Sequence, residues 1–214
     1  MDEDISIINT NSRNEKIKNF FIKNKKLLIT SILLIIIIVL SFYSFQIYKK
    51  AQREKISEKF NSAVIEFKNG DKSEILNSMK KIIEDKDSSY SPLALYFLID
   101  NNLISNSEEA NKLFDILINK TALENEIKNL IIYKKALFNA DQIVESELLD
   151  TLKPIINSKS ICKSHALYLL GEYFYSKNEN QKAKEFFNQV VIAENANQDL
   201  IKEAQKRLIR DLSE

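Results

Sequence analysis

Residues Leu27 to Tyr48 run for 22 consecutive positions without a charge, and this stretch constrains the fold more than any other. As a helix it is about 33 Å long, enough to cross a hydrocarbon core of about 30 Å. Its centre, Leu33-Leu34-Ile35-Ile36-Ile37-Ile38-Val39-Leu40, is too apolar and too long for a surface helix. Phe42, Tyr43, Phe45 and Tyr48 crowd one end, where amphipathic rings favour the headgroup region. A cleaved signal peptide has a shorter apolar stretch and then a small-residue cleavage site. Here Gln46-Ile47-Tyr48-Lys49-Lys50 follows instead, so the run reads as a single transmembrane anchor. A buried core helix is the competing assignment.

Charge does not orient the span. Arg13, Lys16, Lys18, Lys23, Lys25 and Lys26 lie before it; Lys49, Lys50, Arg53, Lys55, Lys59 and Lys68 lie after it. Residues 51–214 carry 23 basic and 26 acidic residues, a net charge of −3, which argues against nucleic acid as a partner. The basic clusters flanking the span suit contact with anionic headgroups in the membrane. One cysteine, Cys162, excludes an intrachain disulfide. With two glycines and two prolines in 214 residues, the chain lacks the turn residues of a sandwich or barrel, so its soluble part is expected to be all-α.

Three segments follow. Residues 1–26 start acidic and Asn/Ser-rich, with 1–15 expected to be disordered. They then form a short basic amphipathic helix from Glu15 to Lys26, with Ile17, Phe20 and Phe21 on one side. Residues 27–48 are the transmembrane helix, and 49–214 form helix pairs. Apolar residues recur with helical period over 51–69 and 72–85, 91–103 and 107–119, 124–140 and 144–157, and 163–176 and 180–193. The breaks include Asn69-Gly70-Asp71, where glycine suits a left-handed C-cap, and Ser105-Asn106-Ser107. Ser91-Pro92 reads as a helix start. A last helix, 197–211, has the charged outer face of a terminal cap.

In the fourth pair, Leu167, Leu170, Gly171, Phe174, Ala183, Phe187 and Val190 have the spacing of the tetratricopeptide signature, with Leu for Trp and Phe for Tyr. Gly171 and Ala183 are expected to be small because the two helices approach closely there. Ala110, Phe114 and Leu117 repeat part of the pattern, and Tyr133 and Ala136 lie 34 residues before Leu167 and Leu170. The expected fold is therefore a transmembrane helix followed by a tetratricopeptide-like solenoid of about four helix pairs with a C-terminal capping helix. An unrelated helical bundle is the alternative.

Chemistry leaves little trace. Two glycines cannot make a P-loop or a dinucleotide fingerprint. Cys162 and His165, three apart on one helix, could form half of a metal site or a thiol–imidazole pair; the competing assignment is a small buried Cys beside a half-exposed His. Glu108-Glu109 and Glu145/Glu147 read as solvated faces. No catalytic, cofactor or metal residue, and no small-molecule substrate, is assigned.

The chain resembles the YfgM-type family, the ancillary subunit of the bacterial SecYEG translocon. The resemblance rests on Asn14-Glu15-Lys16-Ile17-Lys18-Asn19-Phe20-Phe21 with Asn24-Lys25 before the span, and on Leu167-x-x-Leu170-Gly171-Glu172 to Ala183-x-x-x-Phe187 near the C-terminus. The span here is rich in Ile where that family carries Gly. The resemblance implies a non-enzymatic inner-membrane protein with a cytoplasmic N-terminus and a periplasmic repeat domain. It would link the translocon to a membrane-anchored periplasmic chaperone or to emerging chains. A scaffold for envelope or cell-division assembly is the alternative, and an accessory to a membrane peptidase or kinase a third. By resemblance to tetratricopeptide arrays, the partner-binding groove would be lined by Leu95, Ile99 and Asn102, by Lys134, Phe138 and Asp141, and by His165, Tyr168, Glu172 and Tyr175. Several of these could instead pack against the next repeat.

Overall fold

The structure is a computed structural model that describes residues 15–16, 18–104 and 106–212. The regular elements among the described residues are all helices, and the chain divides into two units, residues 1–55 and 56–214. The stretch expected to be disordered lies outside the described residues except for Glu15, which is helical, and Ile17 and Ser105 also lie outside them.

Helix α1 (Lys25–Glu66) runs 42 residues without a break. The apolar run at 27–48 and the first repeat helix expected at 51–69 are one element. No glycine or proline interrupts the backbone before Gly70, so nothing local stops propagation. It is the one helix among the described residues long and apolar enough to cross a membrane. In the first unit, large apolar side chains from Leu27 to Tyr48 are exposed on every side of the helix.

The second unit begins with the C-terminal part of α1 and continues through eight further helices. These are α2 (Lys72–Glu84), α3 (Tyr90–Asp100), α4 (Ser107–Lys120), α5 (Asn125–Asn139), α6 (Glu145–Ile156), α7 (Lys163–Ser176), α8 (Asn180–Ile192) and α9 (Gln198–Lys206). A widened helical turn, Arg207–Asp211, follows α9. From α2 onward each helix packs on the next, and α2 with α4, α5 with α7 and α7 with α9 also touch, the nearest-neighbour pattern of a solenoid.

Local chemistry sets the boundaries. Asp71 and Asn106 cap α2 and α4 by accepting from the amides of Ser73 and Glu108, each at 2.8 Å. The start of α3 lies one residue earlier than Ser91-Pro92 suggests. Asp87 accepts from the amides of Ser89 and Tyr90, while the buried Ser91 hydroxyl donates to the Ile82 carbonyl at 2.6 Å. Gly70 does not take a left-handed conformation. Its amide donates to the Glu66 carbonyl at 2.6 Å, and a Cβ there would sit 2.8 Å from that oxygen, so close approach, not a positive φ, requires glycine. Left-handed turns fall to Lys86, Asn102, Asn178 and Asn195 instead. At Asn102 and Asn178 the following amide donates five residues back, Leu103 to Leu98 and Glu179 to Phe174, both at 2.9 Å, closing helix ends in a Schellman motif.

Two apolar clusters form the interior. The first joins Ile56 and Ala63 of α1 to Ile82 and Ile83 of α2, Leu95 of α3 and Phe114 of α4. The second gathers Leu148 and Leu152 of α6, Leu167 and Phe174 of α7, Phe187 of α8 and Ala204 of α9. Helix α5 serves both, with Ile131 in the first and Ile132 and Ala136 in the second. In the α7–α8 pair the close approach read from Gly171 is present: a Cβ there would lie 2.6 Å from the Phe187 ring.

Candidate functional site

The N-terminal ends of α5 and α7 and the turn before α9 line a half-open cavity of about 530 Å³, within the range of sites that hold small molecules or side chains. Its walls are mostly apolar. Ile127, Leu130 and Tyr133 come from α5, Ile161 and Cys162 from the turn entering α7, and His165 from the first turn of that helix. Asn195 and Asn197 close the third side.

Hydrogen bonds between elements hold these walls in place. A Glu126 carboxylate oxygen accepts from the Ser160 hydroxyl at 2.8 Å and from the Ile161 amide at 3.3 Å, tying α5 to the α6–α7 turn. The buried Ser164 hydroxyl accepts from the Asn197 amide at 3.3 Å, tying α7 to the turn before α9. Asn197 also caps α9 through the amides of Asp199 and Leu200. Ile161, at the rim, is 70% exposed.

His165 packs edge-on against Tyr133, ring centroids 5.7 Å apart. Its Nδ1 is shielded from solvent and has no hydrogen-bond partner. Cys162 is buried, and burial pushes its thiol up, outweighing the hydrogen bond from Ser160. A protonated, enclosed thiol is a poor nucleophile. Among the described residues no three His, Cys, Asp or Glu side chains converge as a metal cluster. Tyr133 is raised by burial and then by Cys162. Tyr96 of α3 is pushed up to about 12, by burial first and then by Cys162 and Asp100, and its hydroxyl is also buried without a partner.

The ten residues expected along one groove take different places. Leu95 is fully buried in the first core cluster, so it offers no surface. Asn102 and Asp141 lie beyond the ends of α3 and α5, in turns. Ile99 and Phe138 pack against the first cluster, Phe138 at 6.0 Å from Phe114. The Lys134 ammonium lies 4.4 Å from the Tyr96 ring centroid.

In α7 the strip is covered by the C-terminal turn. Arg207 donates to both carboxylate oxygens of Glu172, each at 2.8 Å, and to Asp211 at 2.9 Å. Its guanidinium stacks 4.9 Å from the Tyr175 ring, and burial first and then Glu172 push the Tyr168 hydroxyl up, with Arg207 opposing them. Glu172 and Asp211 push the Arg207 pKa up, and Arg210 and Arg207 hold Asp211 well below the ordinary carboxylate range. A carboxylate paired in this way is not free to receive a partner. Of the ten, His165 alone lines the apolar cavity.

Glu109 and Glu145, expected only to be solvated, bridge neighbouring helices through Lys80 and Lys182, while Glu108 pairs within its helix with Lys112 at 2.7 Å. In a second, polar recess between α4, α5 and α6, two pairs of polar side chains bond to each other. Asn111 and Asn139 exchange amide hydrogen bonds at 3.0 and 2.8 Å, and Lys135 binds Asp115 at 2.7 Å.

Sequence periodicity did not single out Glu126, Ile127, Leu130, Ile161, Asn195 or Asn197. The one signal available was an isoleucine inside the polar turn Asn157-Ser158-Lys159-Ser160-Ile161. Residues 18–210 match the tetratricopeptide repeat-like domain family. Comparison with curated proteins and with solved structures finds no match.

Proposed function

Because the chain belongs to the tetratricopeptide repeat-like domain family, a class of fold that serves protein–protein interaction, we propose that it is a non-enzymatic, membrane-anchored adaptor ancillary to the Sec translocon. In this assignment α1 crosses the bacterial inner membrane once, the N-terminus is cytoplasmic and the repeats lie in the periplasm. The repeats hold a membrane-anchored chaperone or an emerging chain close to the channel. The observation that carries the proposal is one continuous helix, α1, whose apolar part is exposed and which contributes Ile56 and Ala63 to the repeat core. A tether of this kind raises the effective concentration of the repeats toward anything else confined to the bilayer. The orientation and the translocon partner rest on the resemblance of the segment before the span and of the α7–α8 pair to the YfgM-type family.

A photocrosslinking residue replacing Tyr48 and, separately, Ile161 tests this in intact membranes. Adducts of the first with channel subunits, and of the second with a periplasmic chaperone or nascent chains, are expected. Adducts only with envelope-assembly or cell-division proteins would replace the translocon role with that of an assembly scaffold.

A further inference from the structure

We infer that one side of α1, at the end of the uncharged run, is a binding site for an anionic phospholipid. The inference rests on the membrane-spanning part of the assignment above. It narrows the headgroup contact expected of the basic clusters to one face of one helix.

An open recess on α1 is lined by Phe42, Phe45, Gln46, Lys49, Lys50 and Arg53. Spacings of three and four residues put these side chains together. At about 100° per residue, Phe42, Gln46, Lys49 and Arg53 fall within an arc of about 60°, with Phe45 and Lys50 at its two edges. Both rings are exposed. Lys49 and Lys50 are exposed too, and neither has an acidic partner among the described residues. No Asp or Glu occurs between Glu15 and Glu54, and Glu54 lies about 100° round the helix from Arg53. The opposite side of the same stretch carries Ser44, Ile47 and Ala51 and no charge.

Order and charge together select the occupant. Over about 16 Å of axis, from Phe42 to Arg53, the face passes from two aromatic rings through an amide donor to three cations. A phospholipid has the same order along its length. Its acyl chain meets Phe42 and Phe45 beside the uncharged run, and its phosphate lies among Lys49, Lys50 and Arg53. A zwitterionic headgroup would bring an ammonium into a cluster of cations with no carboxylate to receive it. An anionic headgroup brings none. An acidic peptide would match the cations and leave the two rings without a counterpart.

The test uses the full-length protein in nanodiscs holding equal amounts of phosphatidylethanolamine and phosphatidylglycerol. The protein is moved to mild detergent and its retained lipids are counted by native mass spectrometry. Phosphatidylglycerol is expected to predominate. Lys49→Gln with Lys50→Gln, both at exposed positions, should reduce that preference about fivefold for each cation removed. Lys55→Gln with Lys59→Gln removes the same charge from other sides of α1 and should leave the preference unchanged. Excess glycerol phosphate, which has the headgroup chemistry without the chains, should not displace the lipid. Equal retention of the two lipids overturns the site, as does an equal loss in the two double variants or displacement by glycerol phosphate. Two parallel measurements separate this claim from the one it rests on. Release of the wild-type protein from membranes by alkaline carbonate removes the anchor and the site together. Crosslinks from Tyr48 to channel subunits without lipid selectivity sink the site alone, and selectivity without those crosslinks sinks the translocon role alone.

Discussion

Gly171→Ala is the sharpest probe of the repeat core, because two large effects of opposite sign meet at one atom. In an isolated helix the substitution is stabilising by about 1 kcal/mol, since glycine is the poorer helix former. Here the new Cβ would lie 2.6, 2.7 and 2.9 Å from three carbons of Phe187. Ordinary contact begins at 3.4 Å, so the ring must retreat by about 0.8 Å. It has little room to do so: Phe187 is fully buried, and the Tyr168 ring stands 5.5 Å away. Overpacking at such a site costs about 3 kcal/mol, the upper end of its usual range. The net expectation is a loss of about 2 kcal/mol, or roughly 4–8 °C in melting temperature for a domain of this size. Near-ultraviolet circular dichroism of the tyrosines follows the melt in detergent, where the apolar part of α1 contributes a constant far-ultraviolet signal. Adding Phe187→Leu should recover at least about 1 kcal/mol relative to the sum of the single effects, because it removes the clashing ring carbons. If Gly171→Ala alone raises stability by the helix-propensity increment, the close approach of α7 and α8 is not real.

The C-terminal clamp should be separable from the rest. Arg207→Met should cost about 1 kcal/mol and lower amide-exchange protection in α9 while leaving α2–α4 unchanged. Acid should loosen the same turn. Asp211 is held below its ordinary pKa of 3.8, so its contribution is complete above that pH and is lost as pH falls through the lowered value; exchange rates for Arg207–Asp211 measured from pH 5 downward test the sign. Tyr96, raised from 10.0 to about 12 by burial first, is neutral in both folded and unfolded chains below pH 10, so it leaves stability untouched there and costs stability as pH rises from 10 toward 12, where the unfolded chain ionises first. Tyr96→Phe should remove this alkaline step from a stability–pH curve and, by deleting a buried unpaired hydroxyl, leave neutral-pH stability unchanged or about 1 kcal/mol higher. Ser91→Ala, which strips the Ile82 carbonyl of a donor at 2.6 Å, should lower stability by about 1 kcal/mol in a urea titration.

Much of this architecture follows from one-dimensional facts. An uninterrupted apolar run, a 3.6-residue period and a near absence of glycine and proline leave a helix long and apolar enough to cross a membrane, followed by stacked helices, as the solution. The spacing from Leu167 to Val190 locates the tightest pair, because that pattern is local and each residue's role is set within two adjacent helices. The fusion of the apolar run with the first repeat helix is also implicit in the chain between Lys25 and Glu66, which contains no breaker. The candidate site was hidden for a physical reason. Its walls come from residues about 126–133, 161–165 and 195–197, which meet only after α6 and α8 have each turned the chain back. The same stacking decided the fate of the expected groove. Leu95 went to the core, and Tyr168, Glu172 and Tyr175 received Arg207, some 30 to 40 residues downstream. Helical period reports which side of a helix is apolar. Whether that side meets a partner or another part of the same chain depends on where the later helices pack, and that was settled only in three dimensions.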